Sequence, residues 1–172
     1  MFSDPTQNIG KLGLIHGMKV VDLGAGSGFY TLEAARRVGA DGRVYAVDVQ
    51  KNLLERIRTN GAQEGLRNIE VVWGNAEKIG GTKLRESIAD MVIASNVLFQ
   101  IEKPDEFALE TKRLLKQGGK VLIIDWSELS PMGPQNIFTA NKAQMLFEKS
   151  GFKLEQSFSA GDHHYGLIFI RP

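Results

Sequence analysis

The chain has 172 residues, with 21 basic and 20 acidic side chains, a net charge of +1, 42% hydrophobic residues and no cysteine. That balance suits one ordinary domain spanning residues 1–172, large enough to bury roughly 70% of the surface its unfolded form exposes. It excludes disulfides, thiolate metal sites and a cysteine nucleophile, and it argues against a nucleic-acid track or a membrane-spanning run.

Residues 1–18 are polar, with Ile9, Leu12, Leu14 and Ile15 as apolar anchors. They predict a short helix or turn packed on the domain, too little chain for a substantial lid. The opening MFSDPTQNIGK lacks a basic end followed by an apolar run, so no signal peptide is expected and the cytoplasm is the expected compartment.

From Val20 to Gly39 the chain reads VVDLGAGSGFYTLEAARRVG. This is a short apolar strand, a glycine-rich turn and a helix beginning near Phe29, with Phe29, Leu32, Ala35 and Val38 facing a core and Gly39 as the stop signal. Gly24, Gly26 and Gly28 let the backbone take positive φ and approach a ligand closely. Asp22 precedes them, and the helix N-terminus adds roughly half a unit of positive charge, which suits a phosphate or a carboxylate. A dinucleotide fingerprint, GxGxxG, would need glycine at Phe29 or Thr31; the pattern here is DxGxGxG.

Strand and helix then alternate. Arg43–Val49 is a β-branched run, Lys51–Asn60 carries helical spacing, Ile69–Trp73 is a third strand followed by the loop GNAEKIGGTK, and Met91–Ser95 is a fourth. Pro104 opens a helix with Phe107, Thr111, Leu114 and Leu115 on one side, ended by Gly118-Gly119. Lys120–Trp126 is a fifth strand, apolar on both faces as a central parallel strand should be. A loop with Pro131, Gly133 and Pro134 leads to a helix from about Thr139 to Ser150. Two last extended runs, Phe152–Phe158 and Tyr165–Ile170, are separated by only six residues, which fits an antiparallel hairpin. The prediction is an α/β fold: a doubly wound, seven-stranded, mostly parallel sheet with an antiparallel last strand and a ligand at the carboxyl ends of the strands.

Residues just after each strand are therefore the candidates. Asp48, twenty residues after Gly28, can accept hydrogen bonds from both hydroxyls of a ribose. Asn75 and Ala76 follow the third strand, where a side-chain amide can meet an adenine amino group. Ser95 and Asn96 follow the fourth, across the switch point from the glycine turn, and Asp125 and Trp126 end the fifth. The loop AGDHHYG opens on the same edge.

With these residues in place the chain resembles the class I S-adenosylmethionine-dependent methyltransferases, in particular the small-molecule group that includes the ubiquinone and menaquinone C-methyltransferases. The resemblance is carried by VVDLGAGSGFYT, GRVYAVDV, GNAEKI, ADMVIASNVLFQIE and LLKQGGKVLIIDW, together most of residues 18–126. It implies a Rossmann-like methyltransferase fold and S-adenosyl-L-methionine as cofactor. Gly24, Gly26 and Gly28 would then wall its methionine portion, Asp22 the neighbourhood of its amino group, Asp48 its ribose, and Asn75 with Ala76 its adenine. Ser95 and Asn96 would border the methionine portion and the transferred methyl. Family members often have Asp where this chain has Asn75.

Methyl transfer from a sulfonium is an in-line displacement, so alignment of the acceptor can supply much of the acceleration. A base is needed only where the acceptor loses a proton, and His163, His164, Asp125 and Tyr30 are the candidates on the active edge. No metal site is expected. The DPPY-like segment of enzymes acting on amino groups of bases is replaced here by SNVLF. Lack of cysteine argues against thiolate-dependent cytosine and arsenite methylation. The expected partner is a small-molecule acceptor, with no DNA, no membrane insertion and a possible homodimer. A protein or RNA acceptor, or a non-catalytic cofactor-binding subunit, are the alternatives, and a nicotinamide-dependent oxidoreductase is more distant.

Overall fold

The computed structural model describes residues 3–172. After the short helix α1 (Pro5–Gly10) the chain runs β1 (Lys19–Leu23), α2 (Phe29–Val38), β2 (Arg43–Asp48), α3 (Lys51–Gln63), β3 (Ile69–Trp73) and β4 (Ala89–Ser95). A single 3-10 turn at Leu98–Gln100 leads to α4 (Pro104–Leu114), β5 (Leu115–Trp126), α5 (Ala140–Lys149), β6 (Lys153–Ser159) and β7 (His164–Ile170).

The seven strands form one sheet in the order β3-β2-β1-β4-β5-β7-β6. β1 to β5 pair in parallel, and β7 runs antiparallel to both of its neighbours, β5 and β6. The order reverses between β1 and β4, so their carboxyl ends diverge into a crevice at the point where such sheets bind ligands.

Both sheet faces are covered, which explains why the parallel strands read as continuous apolar runs. Neighbours in a strand point to opposite faces: Val21, Val121 and Ile123 pack into a core with Phe107, Phe147 and Phe169. Val20 and Leu122 pack into another with Ala34, Ala35, Val38 and Ile9, whereas Phe29, expected on this face of α2, is exposed at the cleft because it opens the helix. Ile9 is fully buried, so the N-terminal segment belongs to the core rather than lying loosely on it. Asp4 caps α1 by accepting from the Thr6 amide at 2.9 Å, and Thr139 caps α5 by accepting from the Lys142 amide at 3.2 Å.

The end of α4 departs from the sequence expectation. The helix stops at Leu114, and Leu115 belongs to β5 rather than to the helical face predicted for it. The cause is distant in sequence: Gly118 donates to the Arg171 carbonyl at 2.7 Å and Arg171 donates back to Gly119 at 2.8 Å, while the Arg171 guanidinium donates to the carbonyls of Lys112 and Leu115. The C-terminus thus draws residues 115–119 into the sheet before the glycine pair can act as a helix stop. At the end of α3 the helix continues to Gln63, through Gly61, whose lack of a side chain admits Ile69.

Candidate functional site

A cleft of about 650 Å³ opens at the carboxyl ends of the strands, between the β1 turn and the ends of β2, β3, β4 and β5. Asp22, Gly24, Gly26, Tyr30, Asp48, Asn75, Ala76, Ser95 and Asn96 all line it, so most of the sequence candidates meet in one place.

The three glycines of the turn do different work. Gly24 has φ +68°, and a Cβ there would lie 2.5 Å from Val97 Cγ2, so glycine lets the turn pass close beneath the end of β4. Gly26 has φ +52°, and a Cβ there would approach nothing closer than the Gly24 carbonyl at 3.8 Å; it leaves open room on the cleft wall. Gly28 is placed away from the lining. It caps α2 with φ +84°, and a Cβ there would lie 2.6 Å from Ile57 Cγ1, so this glycine serves the packing of α3 against the turn.

Two carboxylates stand behind this wall. Asp48 accepts from the Gly26 amide at 3.0 Å and from the Gln50 amide at 2.8 Å, one bond to each oxygen. A carboxylate has about four acceptor sites, so two remain for a ligand. Asp22 is 2% exposed and accepts from the Thr31 hydroxyl at 2.6 Å. Burial, reinforced by the nearby Asp48 charge, pushes its pKa up to about 7 against the pull of Thr31. A cation beside Asp22 would restore its charge.

Across the crevice Asn96 sits at φ +56°, an uncommon conformation for a residue with a side chain, and its buried Oδ1 has no hydrogen-bond partner among the described residues. Asn75 is exposed and its Oδ1 already accepts from the Glu77 amide at 2.8 Å, which leaves its amide N–H groups and a second lone pair for a ligand. The loop that carries it is anchored from behind by Glu110, which accepts from the Gly80 amide at 2.8 Å, the Thr82 hydroxyl at 2.5 Å and Arg113 Nε at 2.7 Å. Sequence reading missed Glu110 because its place on α4 looks like any charged helical position.

The groups proposed as a base separate. Tyr30 lines the cleft, but its hydroxyl bonds to Ser3 and accepts from Asn8 Nδ2 at 2.9 Å, and burial raises its pKa, so it stays neutral. Ser3 and Pro5 also line the cleft, so the N-terminal segment closes one side of it despite its brevity. Asp125 is fully buried and does not reach the cleft. It accepts from the Leu98 and Trp126 amides, each at 2.8 Å, and so holds the 3-10 turn after β4; burial, against these bonds, brings its pKa to about 6. His163 is also outside the lining, with Nδ1 3.1 Å from the Ser130 hydroxyl. His164 and Trp126 do line it.

The reversed strand order, the glycine turn and the carboxylate ending β2 define a nucleoside-cofactor site of the methyltransferase type. The chain belongs to the methyltransferase-domain family, which matches residues 15–162, and it is a member of the class I S-adenosylmethionine-dependent methyltransferases. It is 32% identical over 150 residues to an arsenite methyltransferase of Halobacterium salinarum, covering 80% of this chain and 38% of that protein. It is 31% identical over 117 residues to the ubiquinone/menaquinone biosynthesis C-methyltransferase UbiE of Idiomarina loihiensis, covering 67% of this chain and 45% of that protein. The chain thus spans less than half the length of either curated relative. A crystal structure of a SAM-dependent methyltransferase from Aquifex aeolicus superposes with a TM-score of 0.88 and 26% identity, covering 99% of this chain and 90% of that one.

The residues present fit the family's cofactor. Its ribose needs paired acceptors and its amino-acid end a polar, close-approach wall; the free lone pairs of Asp48, the open face of Gly26 and the unpartnered Asn96 Oδ1 would supply them. Among the described residues no group of three or more His, Cys, Asp or Glu is arranged to hold a metal, and no helix is long and apolar enough to cross a membrane.

Proposed function

We propose that the chain transfers a methyl group from S-adenosylmethionine to a small-molecule acceptor. The observation that carries this reading is Asp48: a carboxylate at the end of β2, locked to the Gly26 amide yet with acceptor sites left over, beside a glycine turn open to a ligand. Asp48 holds the ribose, Asn75 and Ala76 the adenine, and Asp22, Gly24, Gly26, Ser95 and Asn96 surround the methionine portion. Gly28 supports them through the turn. When bound, the cofactor supplies an electrophilic methyl on a sulfonium. The protein's part is to align the acceptor, keep water out and place carboxylates beside the cofactor's hydroxyls and ammonium. The similarity to quinone and arsenite methyltransferases supports a small acceptor; for arsenite, this chain lacks any cysteine to hold a thiophilic substrate.

A macromolecular acceptor is the second reading, favoured by Leu129 and Met132, which are 88% and 58% exposed in the loop after β5. We place the enzyme in the cytoplasm, and a homodimer could cover the same loop. Calorimetry with S-adenosylhomocysteine and with NAD tests the cofactor: binding of NAD alone sinks the proposal. Incubation of labelled S-adenosylmethionine with cell extract then separates the acceptors, since a small-molecule acceptor yields labelled metabolites and the second reading yields labelled protein or RNA.

A further inference from the structure

His164 is the first residue of β7 and pairs in register with Trp126, the last residue of β5. The imidazole and indole stack with centroids 4.4 Å apart and planes tilted by 35°. His164 lines the cleft on the side away from β2 and β3, yet it is only 4% exposed. Both Nδ1 and Nε2 are buried without a hydrogen-bond partner among the described residues.

A histidine buried for structural reasons normally has at least one ring nitrogen paired. Here the polar neighbours are committed elsewhere. His163 lies against Ser130, Asp125 accepts from the Leu98 and Trp126 amides, and the Tyr165 hydroxyl donates to the Phe138 carbonyl at 2.8 Å. Burial lowers the pKa of His164, followed by the effect of His163, so at neutral pH it is the free base, with one nitrogen able to accept a proton. The Trp126 indole covers one face of the imidazole, so the lone pair that accepts a proton, which lies in the ring plane, has to be met edge-on.

We propose that His164 is the acceptor-facing base of this enzyme: a flat, hydroxyl-bearing acceptor in the cleft approaches the imidazole edge-on, with the Trp126 indole keeping its place on the ring face, and donates its O–H to a ring nitrogen. As the acceptor oxygen forms its bond to the transferred methyl, its proton moves to His164 and then to water. The S–CH3 bond breaks with its electron pair left on the donor's sulfur, which becomes a neutral thioether. The inference rests on the methyltransferase reading and adds to it the acceptor's functional group and the residue that receives the proton.

The test uses the complex with S-adenosylhomocysteine, 4-cyanophenol as probe, and 15N NMR of the histidine rings. The phenol is expected to bind and to shift the ring nitrogens of His164, and His164→Phe, which keeps a flat ring, should weaken phenol binding at least about tenfold. His164→Gln, which retains hydrogen-bonding atoms, should recover part of that loss, and both variants should bind S-adenosylhomocysteine as the wild type does. If the phenol does not bind, leaves the His164 nitrogens unmoved, or binds His164→Phe equally well, the proposal is overturned while the cofactor reading stands. If S-adenosylhomocysteine itself does not bind, the function reading falls and takes this proposal with it.

Discussion

On the β1–β2 side of the cleft the functional groups come from one strand–turn–helix–strand unit: Gly24, Gly26 and Asp48 are tied together by backbone bonds to Val47 and from Gly26. On the β5–β7 side, Trp126 and His164 meet only because two strands far apart in sequence pair in antiparallel register. The first wall is built of main chain and carboxylates, and the second presents aromatic side chains. A wall of the first kind suits a fixed cofactor, whereas the second can change its acceptor by changing side chains while the sheet stays as it is.

The sharpest way to probe the first wall is Asp22→Asn. The wild-type carboxyl has its folded pKa raised to about 7 from 3.8, so the stability it contributes is present in acid and is lost as pH rises between those values. Full ionisation without a cation nearby therefore costs the free protein up to about 4 kcal/mol. Asn keeps an acceptor for the Thr31 hydroxyl, so urea melts should show the variant gaining on the wild type from about pH 4 to about pH 7 and holding that gain above it. Cofactor affinity should move the other way. Wild-type binding of S-adenosylhomocysteine should strengthen as pH rises to about 7, and the variant's should be weaker and flat over that range. Parallel stability curves would show that Asp22 is not charged at the cost of the free fold.

Gly28→Ala separates packing from recognition within the same turn. Its Cβ meets Ile57 at 2.6 Å and its φ is +84°, so the fold should lose about 2–4 kcal/mol by denaturant melts. Cofactor affinity of the folded fraction should change less than it does in Gly26→Ala, whose Cβ enters the cleft. A larger affinity loss at Gly28 would return that residue to the cofactor wall.

The difference between the walls also explains what could be read from the sequence. Strand alternation, the glycine turn and Asp48 are local signals, because each residue's role is set by neighbours in its own strand–turn–helix unit. Asp125 looked like a catalytic carboxylate at a strand end, but besides the adjacent Trp126 amide its partner is the Leu98 amide in the turn after β4, which only the parallel register of β4 and β5 brings near. The choice between His163 and His164 was equally hidden: adjacent residues at a strand start point to opposite sides, and which one faces the cleft depends on the register of β7 against β5. Glu110 and the early end of α4 depend on Thr82 and Arg171, again distant in the chain.

Asp48→Asn keeps the shape of the first wall and removes its charge. One oxygen remains to accept from the Gly26 or Gln50 amide, so the fold should hold, while the ribose loses a charged acceptor and binding should weaken by about 1–3 kcal/mol, read by calorimetry. Unchanged affinity would mean that the ribose lies elsewhere.

The smallest effect on ligand binding belongs to His163→Asn, next to the second wall but outside the lining. The side chain meets Ser130 in the loop after β5 rather than the cleft, and asparagine can still bond to that hydroxyl, so S-adenosylhomocysteine affinity should not change. Phenol binding to the cofactor-product complex should be likewise unaffected, in contrast to His164→Phe. Equal losses in the two variants would mean that the β6–β7 loop acts as a unit in acceptor binding, and the distinction drawn between the adjacent histidines would then fail even with the cofactor wall intact.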